Sequence, residues 1–77
     1  MLRNEIKDDI LLHKNTFDPT SQIVFSDSKK YIKITYAIKA NEKFRSLLSY
    51  IRRHVTVIDT DWKKIVSGKR SVYLLYK

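Results

Sequence analysis

The chain has 77 residues, a length that gives one domain with a single core. It contains no cysteine, which excludes disulfides and thiolate chemistry, and its 43% hydrophobic residues with one glycine and one proline favour an ordered globule. The formal net charge is +8, with three basic and five acidic side chains in residues 1–28 but thirteen basic and three acidic in residues 29–77. This asymmetry predicts a polyanionic partner for the second part, and a lysine-rich surface that serves only solubility is the alternative.

No apolar run approaches the roughly 20 residues that cross a bilayer. Acidic side chains among the apolar residues near the start argue against a secretion signal. We therefore expect a soluble, intracellular and cytoplasmic protein that does not bind membranes.

The apolar side chains of residues 2–14 recur at helical spacing, which predicts an N-terminal helix. Leu11 and Leu12 widen its apolar face, so we expect the helix to pack on a sheet or against a partner. Asp18-Pro19 predicts a turn after it, because proline fixes its own φ and disfavours helix at the preceding residue.

A hairpin of two strands is predicted next. Gln22–Ser26 is a short strand, and Tyr31–Lys39 alternates between a face of isoleucines and a polar face that carries Lys33 and Lys39. The connection, Asp27–Lys30, is polar but lacks the glycine of a tight hairpin turn, so its register stays open.

An amphipathic helix over 42–54 is the most regular element of the chain. Phe44, Leu47 and Ile51 follow one stripe, and basic side chains occupy its last turn. Asn41 is the predicted N-cap.

The segment after this helix allows two interpretations. The favoured one is a strand over 55–58, one or two helical turns from Asp59 to Ser67 that end at Gly68, and a last strand over 71–76. The competing interpretation is a hairpin in which residues 62–66 form a strand that turns through 67–70.

These elements make an α+β protein, a small single domain over residues 1–77 whose N-terminal helix packs on a ββαβ-type core over 22–77. The order of a hairpin, a crossing helix and a last strand resembles a β-grasp fold. A winged helix, with residues 62–77 as the wing, is the alternative, although that fold needs more helices before the wing.

Basic side chains with interleaved aromatic rings indicate nucleic-acid binding, because phosphates need fixed cations and exposed rings stack on unpaired bases. The predicted nucleic-acid-binding residues are Lys29, Lys30, Lys33, Lys39, Arg45, Arg52, Arg53, Lys63, Lys64, Lys69, Arg70, Tyr31 and Tyr50. The spacing does not establish whether the basic helix surface and the polar strand face point the same way.

Other chemistries find little support. The segment 67–71, SGKRS, lacks the earlier glycine and the following hydroxyl of a phosphate loop. Asp59 and Asp61 are better explained by helix capping and charge balance than by Mg²⁺ binding, since no third acidic ligand is near. His13 and His54 have no companions at metal-ligand or catalytic spacing. We expect no metal, no cofactor and no enzymatic activity.

Two functions from different classes follow. The first is a small basic protein that binds RNA or DNA mainly through the phosphate backbone, alone or within a ribonucleoprotein or regulatory complex. The alternative is a protein-interaction module, an inhibitor or adaptor that binds an acidic protein surface, or a homodimer that docks through edge strands and Leu11 or Leu12.

Overall fold

The structure, a computed structural model, describes residues 2–77. Its elements are α1 (Asn4–Phe17), β1 (Gln22–Ser26), β2 (Tyr31–Ala37), α2 (Asn41–His54), β3 (Val57–Trp62) and β4 (Lys69–Tyr76). The strands form one sheet in the order β1-β2-β4-β3, and every neighbouring pair is antiparallel. Two helices on a four-stranded antiparallel sheet confirm the α+β class, and the likeness to a β-grasp remains one of element order.

The side chains of the two central strands, β2 and β4, alternate between a buried face and an uncovered face of the sheet. Alternate residues of β2 and β4 are buried, and the residues between them are half-buried. The buried side chains of these strands are Ile32, Ile34, Tyr36, Val72, Leu74 and Tyr76. They share one core with both helices, so the helices lie on the same face and leave the other face open.

Helix α2 supplies most of the helical part of this core. Phe44, Leu47 and Ile51 are buried as the apolar stripe predicts, and each contributes about 1.5–3 kcal/mol of hydrophobic stabilisation. The predicted N-cap is wrong: Asn41 has helical φ and ψ and is the first residue of the helix. A 3-10 turn over Ile38–Ala40 leads straight into α2, so β2 ends at Ala37 and not at Lys39.

Helix α1 runs from Asn4 to Phe17, three residues past its predicted end. Ile10 is fully buried against the sheet and α2, whereas Leu12 remains 62% exposed. The Lys7 ammonium lies 2.8 Å from a carboxylate oxygen of Asp27, which ties α1 to the β1–β2 turn.

The segment after α2 is a hairpin, so the predicted helical turns from Asp59 to Ser67 and their end at Gly68 are wrong. Strand β3 covers Val57–Trp62, and Val66 and Lys69 exchange two backbone hydrogen bonds of 2.8 and 3.0 Å around a two-residue turn. Ser67 and Gly68 have φ of 53° and 74°, the left-handed conformation that the mirror-image hairpin turn requires at both positions. The β-branched and aromatic side chains of β3 outweigh the helical spacing of its apolar residues.

Candidate nucleic-acid interface

The uncovered side of the sheet, the open sheet face, presents two tyrosines on its two central strands. Tyr31 on β2 and Tyr73 on β4 point away from the helices because their strand neighbours are buried. Their ring centroids lie 5.0 Å apart at 79°, an edge-to-face arrangement, and both side chains are half-buried.

Two lysine ammonium groups flank the ring of Tyr73. The Nζ of Lys33 lies 5.6 Å from the ring centroid and the Nζ of Lys63 lies 5.4 Å from it, both within the range of cation–π contact. Lys63 also forms a salt bridge of 2.8 Å with Asp61. The Lys63 ammonium donates a hydrogen bond to this carboxylate, which raises the pKa of Lys63 and favours its charged form.

The rest of the open sheet face is polar at its centre and acidic along one border. Thr35 and Ser71 share a hydrogen bond of 3.0 Å across β2 and β4, and Lys69 lies opposite Ala37 at the end of the same strands. Asp61 on the edge strand β3 lies opposite Tyr73. The arrangement favours an anion that follows β2 and β4 and disfavours one that follows β3.

A second basic surface lies on the helix side of the sheet, between α2 and strands β3 and β4. We call it the arginine groove. It has a volume of about 420 Å³ and is lined by Tyr36, Asn41, Phe44, Arg45, Leu48, Arg52, Trp62 and Arg70. Two of its arginines are two helical turns apart on α2, and the third, Arg70, comes from β4.

Aromatic contacts connect the wall of the arginine groove to the core. The rings of Tyr36 and Phe44 stack with centroids 3.9 Å apart, and Phe44 meets Trp62 edge to face at 5.9 Å. The guanidinium carbon of Arg70 lies 5.9 Å from the indole centroid of Trp62. Trp62 is 48% exposed and lines the groove, so part of the indole remains accessible to solvent.

Two buried polar atoms of this wall have no hydrogen-bond partner. They are the hydroxyl of Tyr36, a residue that is 1% exposed, and the Nε of Arg70. Arg52 is partly engaged, since its Nη2 donates a 3.2 Å hydrogen bond to the hydroxyl of Thr60.

The predicted site residues thus fall on several surfaces. The open sheet face holds Tyr31, Lys33, Lys63 and Lys69, and the arginine groove holds Arg45, Arg52 and Arg70. The other predicted residues lie outside both surfaces: Lys29 and Lys30 in the β1–β2 turn, Lys39 in the 3-10 turn, Lys64 after β3, and Tyr50 and Arg53 on α2. The helices cover the isoleucine face, so the polar strand face and the basic helix surface point in opposite directions. They do not form one platform.

Tyr50 is engaged in packing between the helices. Its ring stacks on that of His13 with centroids 3.5 Å apart and contacts His54 at 4.5 Å. This use of the ring in the α1–α2 contact separates Tyr50 from the open sheet face.

The predicted set omits three aromatic residues of these surfaces, Tyr73, Trp62 and Tyr36. Strand alternation around Val72 was the signal for Tyr73, because a buried valine places its neighbour on the opposite face. Trp62 was assigned to a helix, which hid its place on the edge strand. No sequence signal marks the unpaired hydroxyl of Tyr36.

No protein-family model, curated protein or solved structure matches this chain. Within residues 2–77, no three histidine or acidic side chains come together in a way that could hold a metal ion. Nor does either helix of the described chain have the length and apolarity to cross a membrane.

Proposed function

We propose that the protein binds single-stranded nucleic acid on the open sheet face. The observation that carries the proposal is the ring of Tyr73, set between the ammonium groups of Lys33 and Lys63 on a sheet face that no helix covers. The half-buried Tyr73 offers the uncovered part of its ring as a stacking surface to a base, and the flanking ammonium groups pair with the phosphates on either side of that base.

The form of this surface favours a single strand over a duplex. A duplex keeps its base faces stacked inside, whereas the bases of a single strand can turn outward onto aromatic side chains. Tyr31 lies beside Tyr73 and supplies a second ring for an adjacent base. The carboxylate of Asp61, which is paired with Lys63, lies on the edge strand β3 and directs the backbone along β2 and β4, where Lys33 and Lys69 lie.

Fluorescence anisotropy with labelled single- and double-stranded DNA and RNA tests this function. We expect single strands to bind more tightly than duplexes, with an affinity that falls steeply as salt rises. Tyr73→Leu removes the stacking surface and should weaken binding about tenfold, since one base–aromatic stack contributes about 1–3 kcal/mol.

A matched pair of charge reversals separates the site from the net charge. Lys33→Glu and Lys43→Glu change the net charge equally, but Lys33 lies on the open sheet face and Lys43 on α2. Lys33→Glu should weaken binding much more than Lys43→Glu. Equal effects of the two variants, or binding only at low salt without regard to the ligand, would reduce the interaction to generic charge.

A second candidate function, self-association, is favoured by the free edge of the sheet. Strand β3 is an edge strand, and several apolar side chains along it and after it are exposed: Ile58, Trp62, Ile65 and Val66. The backbone N–H of Lys63 donates to Ser71, so the alternation of an antiparallel ladder directs the N–H and C=O of Trp62 to the free edge. Unpaired edges of this kind recruit further strands.

The charges along this edge are self-complementary. In an antiparallel pair centred on Trp62, Asp61 lies opposite Lys63 of the second copy. We propose that a second copy of the chain pairs here and continues the sheet to eight strands.

Exchanging the charges of Asp61 and Lys63 distinguishes this specific pairing from an effect of net charge. Asp61→Lys alone and Lys63→Asp alone place like charges opposite each other, so each variant should be monomeric in light scattering coupled to size-exclusion chromatography. Mixing the two restores opposite charges and should produce heterodimers. A wild-type chain that stays monomeric at high concentration, or a mixture without heterodimers, would rule this interface out.

A further inference from the structure

The arginine groove has the features of a ligand site separate from the open sheet face. We propose that it binds a nucleoside monophosphate unit, with the phosphate held by Arg45, Arg52 and Arg70 and the base stacked on Trp62. This inference goes beyond the proposed function, because the groove lies on the helix side of the sheet and shares no residue with the open sheet face.

The charge of the groove is positive and uncompensated by acidic side chains. Its lining holds three arginines and no carboxylate, and neither salt bridge found within residues 2–77 includes an arginine. Arg45 and Arg52 project from α2 while Arg70 projects from β4, so the guanidinium groups approach the groove from two walls. Guanidinium groups match the oxygens of a phosphate with paired N–H donors.

The unpaired polar atoms of the groove indicate that a hydrogen-bonding ligand belongs there. The hydroxyl of Tyr36 and the Nε of Arg70 are buried without a partner, and both residues line the groove. A buried donor with no acceptor is unfavourable, so such atoms in a native protein call for a water molecule or a ligand. Phosphate oxygens are acceptors, the type of partner that both donors lack.

Trp62 gives the groove a surface for a planar ring. The indole is held by an edge-to-face contact with Phe44 and by the guanidinium of Arg70, while the side chain remains 48% exposed. A base can stack on the remaining surface. The volume of about 420 Å³ lies within the range of small-molecule sites and is sufficient for a nucleotide.

Intrinsic fluorescence provides a direct test, because Trp62 is the only tryptophan of the chain. Titration with AMP, adenosine and inorganic phosphate separates the two parts of the ligand. We expect AMP to change the emission saturably and to bind at least tenfold more tightly than adenosine, while inorganic phosphate competes weakly. AMP that binds no more tightly than adenosine would overturn the proposal.

Neighbouring arginines on α2 give a matched control for position. Arg52→Gln and Arg53→Gln remove the same charge from adjacent residues, but only Arg52 lines the arginine groove. Arg53 lines a different groove, beside His13 and Tyr50. Arg52→Gln should weaken AMP binding about tenfold and Arg53→Gln less than twofold. Equal losses of affinity would mean that AMP binding depends only on net charge, and would contradict a binding site in the arginine groove.

The hydroxyl of Tyr36 provides a second test that does not alter charge. Tyr36→Phe keeps the ring stacked on Phe44 and removes only the unpaired donor. We expect several-fold weaker AMP binding by a folded protein. If Tyr36→Phe binds AMP as tightly as the wild type, the Tyr36 hydroxyl does not contact the ligand.

Two sources of the same ligand chemistry are then distinguished by oligonucleotides. If the groove holds the end of a strand, an oligonucleotide with a terminal phosphate binds more tightly than its unphosphorylated counterpart, and AMP competes with it. If the groove holds a free nucleotide, AMP binds but the terminal phosphate has no effect. The Tyr73→Leu variant should bind AMP with wild-type affinity in either case, because Tyr73 lies outside the groove. Loss of single-strand binding on the open sheet face and loss of AMP binding in the groove are therefore distinguishable.

Discussion

At the scale of single residues, Tyr36 combines a stabilising ring with an unfavourable hydroxyl. Its ring stacks on Phe44 at 3.9 Å, and its hydroxyl is buried without a partner. Tyr36→Phe should therefore leave the free energy of unfolding unchanged or raise it by about 1 kcal/mol in the absence of ligand. Chemical denaturation measures this, with Ile34→Ala as a control that should lose about 2–5 kcal/mol. A clear loss of stability in Tyr36→Phe would show that the hydroxyl has a partner in the folded protein.

Tyr76 gives the fold a dependence on alkaline pH. Burial raises the pKa of Tyr76 above the ordinary value of 10.0, and the nearby carboxylate of Asp27, which accepts its 3.4 Å hydrogen bond, raises it further. A raised pKa in the folded state means that the neutral phenol stabilises the fold below pH 10.0 and that this contribution is lost as pH rises through the folded pKa.

We expect the phenol of Tyr76 to ionise above pH 10.0 in an ultraviolet titration, with stability falling as it does so. The Tyr76→Phe variant lacks this late step. A titration curve whose alkaline end is the same in the wild type and in Tyr76→Phe would contradict the prediction.

At the scale of elements, the β3–β4 hairpin depends on two left-handed residues. Ser67 and Gly68 have φ of 53° and 74°, and a Cβ at Gly68 would meet no atom within 4 Å, so only backbone strain opposes a side chain there. Gly68→Ala should lower the free energy of unfolding by about 1 kcal/mol, a cost of φ and not of collision. Ser67→Asn should raise it by a few tenths of a kcal/mol, because asparagine tolerates this conformation better. Thermal denaturation of both variants checks the opposite signs.

The elements differ in how far their sequences define them. Helix α2 and the β1–β2 hairpin follow from periodicity, because the stripe of Phe44, Leu47 and Ile51 has no competing pattern. Residues 57–68 satisfied two patterns at once: Trp62, Ile65 and Val66 have helical spacing, while the β-branched residues before them favour a strand. The pairing of β3 with β4 selects the strand over the helix, and a local sequence pattern does not contain this long-range contact.

At the scale of the whole molecule, the sequence predicted a basic protein but not how its positive charge is distributed over the folded surface. Lys33 and Arg52 both belonged to the predicted set, yet one lies on the open sheet face and the other in the arginine groove. That division depends on which sheet face the helices cover, a tertiary choice that strand alternation leaves undecided. For the same reason the buried hydroxyl of Tyr36 had no sequence signal, since its lack of a partner is a property of the packed groove.

Stability and self-association are linked in a chain of 77 residues, because a domain this small buries only about 60% of the surface of its unfolded chain. Binding of a second copy to the folded state alone adds stability that grows with concentration. If β3 pairs with β3 of a second copy, the thermal midpoint should rise with total protein concentration. Lys63→Asp places like charges opposite each other at that edge, so its midpoint should not depend on concentration. Differential scanning calorimetry over a hundredfold range of concentration measures both proteins. A wild-type midpoint that is constant over that range would make the chain an independent monomer and would leave the open sheet face and the arginine groove as its binding surfaces.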